Sequence, residues 1–488
     1  MNPNPNPNPK LQDLAERLAE IVGSRYVLSA PEDLAVYDCD AETLDIARPD
    51  LVVLPGSTEE VARVVKLAFE YGVPIAPRGA GTGLSGGSTT IMGGISLVLT
   101  RMKKIVRVDP GERLAVVEVG ATNLSVSEAA SPYGLYFAPD PSSQVASTIG
   151  GNIAENAGGP HCLKYGMTTS HVLGATVVLY DGSVVKLGGQ TRAVCDLDLL
   201  GVFVGSEGTI GVATEAVLRL IPRAQAVETL LVYFPSVSKC GQAVSDIVAA
   251  GVIPAAMEMI DRITLNAVED YLAMGLNRDA DALLIIELDG PLAGIKAQRE
   301  IVDGILARSD VIQVIHAENE TDRARIWKAR KTSFGALGRI APNGYVLDGV
   351  IPPTRLAEAI EKIAEIGRRH DLMIANVYHA GDGNLHPCLL YHRDNEDEVK
   401  RVIEAAHAIL KLCVELGGTL SGEHGIGIEK LLDMPLVFNE SDMNMMQMVR
   451  DCFDPGGLLN PSKVLPAPRS CGESGARPLI RHRILTGC

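Results

Sequence analysis

The chain has 488 residues, 46% of them hydrophobic, which is enough for two or three domains with full-sized cores and excludes disorder over most of its length. A formal charge of −16 and a pI near 5.2 argue against nucleic acid or an anionic membrane surface as the main partner, so an anionic substrate would need a cationic pocket of its own. Nine scattered cysteines without a C-x-x-C pair fit a reduced cytoplasmic protein with no disulfide framework and no iron–sulfur cluster of its own.

From Met1 to Pro9 the chain alternates Asn and Pro, an extension without a packed core, and no later apolar run reaches the length of a membrane span. Ser57-Thr58-Glu59-Glu60 reads as a capping box, followed at helical spacing by Val61, Val64, Val65, Ala68 and Phe69 up to Gly72. Leu51–Leu54 before this helix and Val73–Ala76 after it read as strands, so a small α/β unit opens the ordered region. The glycine-rich run from Arg78 to Gly87 follows, and its backbone N–H groups can converge on an anion such as a pyrophosphate. A Rossmann loop should instead open a helix and meet an acid about 20 residues on; here Ile95–Leu99 reads as a strand and the first acid is Asp109. A flexible surface turn is the other reading of this run. Two further small-residue blocks, Pro139 to Gly166 and Gly205 to Gly211, suit a backbone lying against a long flat cofactor.

In the second half, Leu230–Phe234, Leu283–Leu288 and Val311–Ile315 read as strands, with amphipathic segments at Leu356–Arg369 and Glu398–Leu416, which predicts an antiparallel sheet with helices on one face. Met443, Met445, Met446 and Met448 are assigned to packing. The run from His379 to Pro387 cannot be helical. In an unbroken strand its two histidines would face opposite ways, so Gly381-Asp382-Gly383 must turn the chain between two short strands. His379 and His386 can then meet at one point. With Glu423 they would make a two-histidine, one-carboxylate metal set with open positions, leaving His424 to move protons. The plainer alternative is a loop histidine pair and a surface Glu-His. Beyond Lys463 the tail is basic, with Arg469, Arg477, Arg481 and Arg483, and reads as a frayed end or a docking segment.

The three small-residue blocks resemble the flavin domain of the vanillyl-alcohol oxidase type. The likeness continues through Trp327, Arg330-Lys331, Asp348-Gly349, His379 to Pro387, Gly422 to Gly427, Phe453-Asp454-Pro455 and Asn460-Pro461. Within that family the chain is most similar to flavin-bearing subunits of bacterial glycolate oxidases, with D-lactate dehydrogenases next. The resemblance implies an α+β chain divided into an extension and helix (1–45), a PCMH-type FAD domain (46–222), an antiparallel-sheet cap (223–450) and a C-terminal return with a basic tail (451–488). It implies FAD held by Arg78, Gly79, Ala80, Gly81, Thr82, Gly83, Leu84, Ser85, Gly86, Pro139, Asp140, Ser143, Gly150, Gly151, Asn152, Asn156, Gly159, Tyr165, Gly166, Glu207, Gly208, Ile210 and Asn460. No His or Cys lies between Arg78 and Gly87, so the expected FAD is non-covalent, with His161 or Cys162 as the attachment point otherwise.

The implied activity is oxidation of glycolate or D-lactate, with hydride passing to the flavin. A divalent metal (Zn, Fe or Mn) at His379, His386 and Glu423 would acidify the substrate hydroxyl, His424 would take its proton, and Arg330 would bind the carboxylate through its planar fork. An ordinary ion pair is the alternative for Arg330. Relatives acting on longer diacids place a Lys before the motif aspartate. Tyr345-Val346-Leu347 precede Asp348 here, which favours short substrates over D-2-hydroxyglutarate. The expected partners are an iron–sulfur subunit and a second flavin-domain-like subunit, in a complex peripheral to the inner membrane. A flavin subunit without turnover of its own is the reading from another class.

Overall fold

The computed structural model describes residues 9–191 and 197–466, so the first eight residues and the basic tail from Arg469 lie outside the described residues. Among the described residues two compact units form, one from 9–157, 167–222 and 423–466, the other from 158–166 and 223–422.

In the first unit the Thr58–Tyr71 helix links two strands of a four-stranded sheet. Ser57 Oγ accepts from Glu60 N at 3.2 Å, Glu60 returns the bond to Gly56 N at 2.6 Å, and the helix stops at the left-handed Gly72. Its buried stripe of Val61, Val64, Val65 and Ala68 packs over the sheet, whose order is Val27–Leu28, Leu51–Val53, Ile95–Val98, Ile75–Arg78, the last three parallel. A five-stranded antiparallel sheet, from Ile105–Asp109 through Leu114–Glu118, Val212–Arg219 and Val172–Val178 to Val184–Gly188, shares that core. The Pro9–Val22 helix joins it too, burying Leu14, Leu18 and Val22.

The second unit is built on an eight-stranded antiparallel sheet. Its order is Gln313–His316, Ala226–Phe234, Ala282–Gly290, Ala256–Asp261, Met373–His379, Asn384–Tyr391 and Asn343–Val346, with Gly349–Val350 also paired to Asn384–Tyr391. Helices cover both faces, where one had been expected. Leu283 and Ile285 pack with Leu265 and Ile326 from one group of helices, while Leu284 and Ile286 are buried on the other side, where Val237–Ala249 and Leu292–Leu306 lie. A strand that is continuously apolar from Ala282 to Ile286 requires cover on both faces.

The units change at 222–223 and at 422–423, and residues 158–166 belong to the second unit. The methionine expectation is corrected: Met445 and Met448 are 61% and 62% exposed, because the Glu440–Phe453 helix buries only Arg450 fully and turns these side chains to solvent.

Candidate active site

The first unit contains a cleft lined by Arg78, Gly79, Gly150, Gly151, Ser206 and Gly208, with Thr148, Phe203 and Val212 also in its walls. The chain is drawn very close at Gly79, where a Cβ would stand 2.1 Å from Thr148 Oγ1. Arg78 is turned back to Cys39 O and Ser88 Oγ, at 2.9 and 3.2 Å, which braces the glycine run that follows it. Two buried polar atoms beside the cleft, Asn152 Nδ2 and Ser206 Oγ, find no partner among the described residues. A small-residue cradle with unsatisfied polar groups fits a flat, hydrogen-bonding cofactor.

Other expected cofactor residues have work within the first unit. Asn460 Nδ2 bonds Gly87 O and Glu207 O, joining three distant segments, and Asn123 Nδ2 holds Pro139 O. Asn156, left-handed at φ 52°, takes Thr169 N, and Ile210 is core. Ala80 to Gly86 continue the braced run, and Ile428 N and Glu429 N bond Ser85 O. Ser143 O receives the N–H groups of Ala146 and Ser147, and Asp140 lies just before this turn. Glu207 spends its carboxylate on Ile426 N and Gly427 N, both at 2.7 Å, fixing the segment that starts at Glu423. Gly159, Tyr165 and Gly166 are not with these. They sit in the second unit, where the Tyr165 hydroxyl reaches 2.5 Å from Asp289 Oδ2 and Lys164 pairs with the same carboxylate.

In the second unit the expected turn is a hairpin of Met373–His379 and Asn384–Tyr391. Val377 lies opposite His386 and two residues before His379, so both imidazoles share one face; their rings meet edge-on with centroids 5.0 Å apart. Glu258 lies directly across from His379 on the next strand, and its carboxylate bridges His379 Nδ1 and Arg330 Nε, both at 2.7 Å. All three are at least 96% buried at the side chain. Burial raises the Glu258 carboxyl, but His379 and Arg330 outweigh it and hold the group below its usual range. His386 Nδ1 bonds Leu347 O at 3.0 Å. In both rings Nδ1 is thus engaged by an acceptor, which fixes the tautomer that offers the Nε2 lone pair.

The same sheet face carries Glu287, the meeting point of Arg323 Nε and Nη2, Trp327 Nε1, Thr229 Oγ1 and His161 Nε2 at 2.6 to 3.2 Å. Arg323, Trp327 and Arg330 recur at four- and three-residue spacing, so one side of the Glu320–Lys331 helix addresses both buried carboxylates. His161 also stacks on Trp327, centroids 5.5 Å apart.

Asp348 Oδ2 accepts from Ser421 Oγ at 2.6 Å and from Gly422 N at 3.1 Å. One peptide bond further on comes Glu423, with His424 Nε2 3.4 Å from Glu423 Oε1. Sequence reading missed Glu258, Glu287 and Asp289. The available signal was an ionisable residue set into otherwise apolar strands, Met257-Glu258-Met259 and Leu284 to Asp289, where a charge must be paired.

A family model described as FAD linked oxidases, C-terminal domain, matches residues 223–464, and one described as FAD binding domain matches 49–188. The chain is 44% identical to the glycolate oxidase subunit GlcD of Escherichia coli K12, covering 94% of this chain and 92% of that protein. It is 37% identical to GlcD of Bacillus subtilis, covering 93% and 97%, and 34% identical to a D-lactate dehydrogenase of Archaeoglobus fulgidus, covering 85% and 91%. The structure of 4-ethylphenol oxidase from Gulosibacter chungangensis aligns with a TM-score of 0.79 over 96% of this chain and 99% of that one, at 19% identity, a likeness of fold alone.

Proposed function

The chain belongs to the FAD-linked oxidases that include glycolate oxidase GlcD subunits and D-lactate dehydrogenases, and from that premise we propose how its own residues perform the chemistry. It is an FAD-dependent oxidoreductase of small 2-hydroxy acids. Glycolate and D-lactate are the substrates we assign.

Arg78–Gly86, Gly150–Asn152 and Gly208 would hold FAD without a covalent bond, and the flavin would supply the acceptor for two electrons. His379, His386 and Glu423 would hold a divalent metal, which would supply Lewis acidity for the hydroxyl group of the substrate. The observation that carries this reading is the hairpin itself: two buried imidazoles on one face, each with Nδ1 bonded to an acceptor, as ligating histidines require. Arg330 binds the substrate carboxylate with its terminal amino groups while Nε stays on Glu258. The ion pair with a cap acid, the alternative reading of this residue, is present through Nε. His424 takes the hydroxyl proton as the C2–H bond breaks and the hydrogen leaves with its electron pair as hydride to the two-electron acceptor, which leaves the 2-oxo acid.

Anaerobic mixing with glycolate, either lactate or 2-hydroxyglutarate, followed by flavin bleaching, tests the substrate class. His379→Ala and Glu423→Ala should lose metal and activity yet keep flavin. His424→Ala should keep the metal and reduce its flavin roughly 100-fold more slowly or worse. An unchanged rate in His424→Ala would remove it as the base. We further propose that the chain works in a multi-subunit complex with an iron–sulfur subunit and a second flavin-domain-like subunit, peripheral to the inner membrane. No helix among the described residues is long and apolar enough to cross a membrane.

A further inference from the structure

The geometry points to Glu258 as a positioning residue that sets the metal-ligating state of His379 and the carboxylate-binding pose of Arg330 through one carboxylate. The inference rests on the proposed roles of those two residues. Glu258 is fully buried in the strand directly opposite His379, and its two oxygens are divided between the two partners, Oε1 to His379 Nδ1 and Oε2 to Arg330 Nε, both at 2.7 Å.

Both partners donate, so the arrangement demands two acceptors at this point. Only an ionised carboxylate provides them. While Nδ1–H is given to Glu258, the lone pair of His379 is on Nε2. While Arg330 Nε–H is given to Glu258, the guanidinium plane is fixed and its two terminal amino groups are the donors available to an external carboxylate.

A glutamine has the same shape but offers one acceptor and one donor group. In Glu258→Gln the amide oxygen can serve Arg330, in which case the amide N–H₂ faces His379 Nδ1 and drives the proton to Nε2, abolishing the ligating lone pair. In the opposite orientation His379 keeps its tautomer and Arg330 Nε loses its acceptor. Either way one of the two sites fails, although no atom has moved.

The test uses the full-length holoprotein and measures bound metal after dialysis against buffered Zn²⁺, oxalate affinity by titration of the flavin spectrum, and FAD content. Glu258→Gln should keep its FAD and lose about tenfold or more in either metal affinity or oxalate affinity. Because Glu258→Gln leaves the Arg330 charge buried and can impair folding, the neutral pair Glu258→Leu/Arg330→Met, which leaves His379 Nδ1 no acceptor at this point, is measured beside it. Reduced metal occupancy in that pair supports the inference, since Arg330→Met alone should keep the metal. Metal and oxalate affinities within twofold of wild type in Glu258→Gln, or full metal occupancy in the neutral pair, would overturn it. If His379→Ala itself retains full metal, the ligand assignment has failed instead, which separates the two claims.

Discussion

At the scale of single residues, buried charge separates groups that the fold must pair from groups it leaves costly. Burial pushes the Asp40 carboxyl up from 3.8 to about 6 against the pull of Lys463 and Arg78, and one of its oxygens finds no partner among the described residues. The folded state therefore keeps a proton that the unfolded chain releases. Stability from this group is present below pH 3.8 and lost as pH rises through 6, at about 1.4 kcal/mol per unit and about 3 kcal/mol in all. Asp40→Asn does not titrate, so its stability relative to wild type should rise by that order between pH 4 and 6.5. Paired denaturant titrations check this, and a pH-independent difference would refute it. Arg330 is the opposite case, a cation fully paired on one edge. Arg330→Lys should raise KM for glycolate markedly while metal content holds, because an ammonium replaces a rigid fork with a point charge; equal KM values would place the carboxylate elsewhere.

At the scale of elements, the hairpin that carries the two histidines depends on its turn. Gly383 has φ +81°, and a Cβ there would stand 2.0 Å from Ile351 O, a backbone atom that cannot swing aside. Gly383→Ala should cost at least about 1–3 kcal/mol and displace His386 relative to His379, so that metal content falls together with thermal stability. A variant with wild-type melting temperature and metal would show that the turn tolerates the change. Strand order explains why the site lies here. Glu287, Glu258, His379 and His386 stand on adjacent strands and on one face, and the sequence separates the first from the last by nearly a hundred residues.

At the scale of the whole molecule, the described cysteines are unlinked and the sequence has no C-x-x-C pair, and the proposed complex assigns onward electron transfer to a partner subunit. The isolated chain should therefore reduce a soluble dye with glycolate or D-lactate but turn over quinone poorly, and acid precipitation should release its flavin. Rapid quinone turnover would contradict the partner proposal. Colour remaining on the precipitate would redirect attention to His161 or Cys162.

Local rules made the capped helix at Thr58–Tyr71, the glycine run without a following helix, and the need for a turn at Gly381–Gly383 legible from the sequence, because each depends on neighbours within a few residues. The fold class and the cofactor were legible through co-linear motifs spread along the chain. Strand pairing was not: nothing local says that Glu258 lies opposite His379, that Arg323 and Trp327 share Glu287, or that residues 158–166 leave the first unit for the second. Those pairings join segments more than a hundred residues apart in two of the three cases. They are decided by which apolar faces bury against each other, and a carboxylate in a strand declares its partner only once the neighbouring strand is in register.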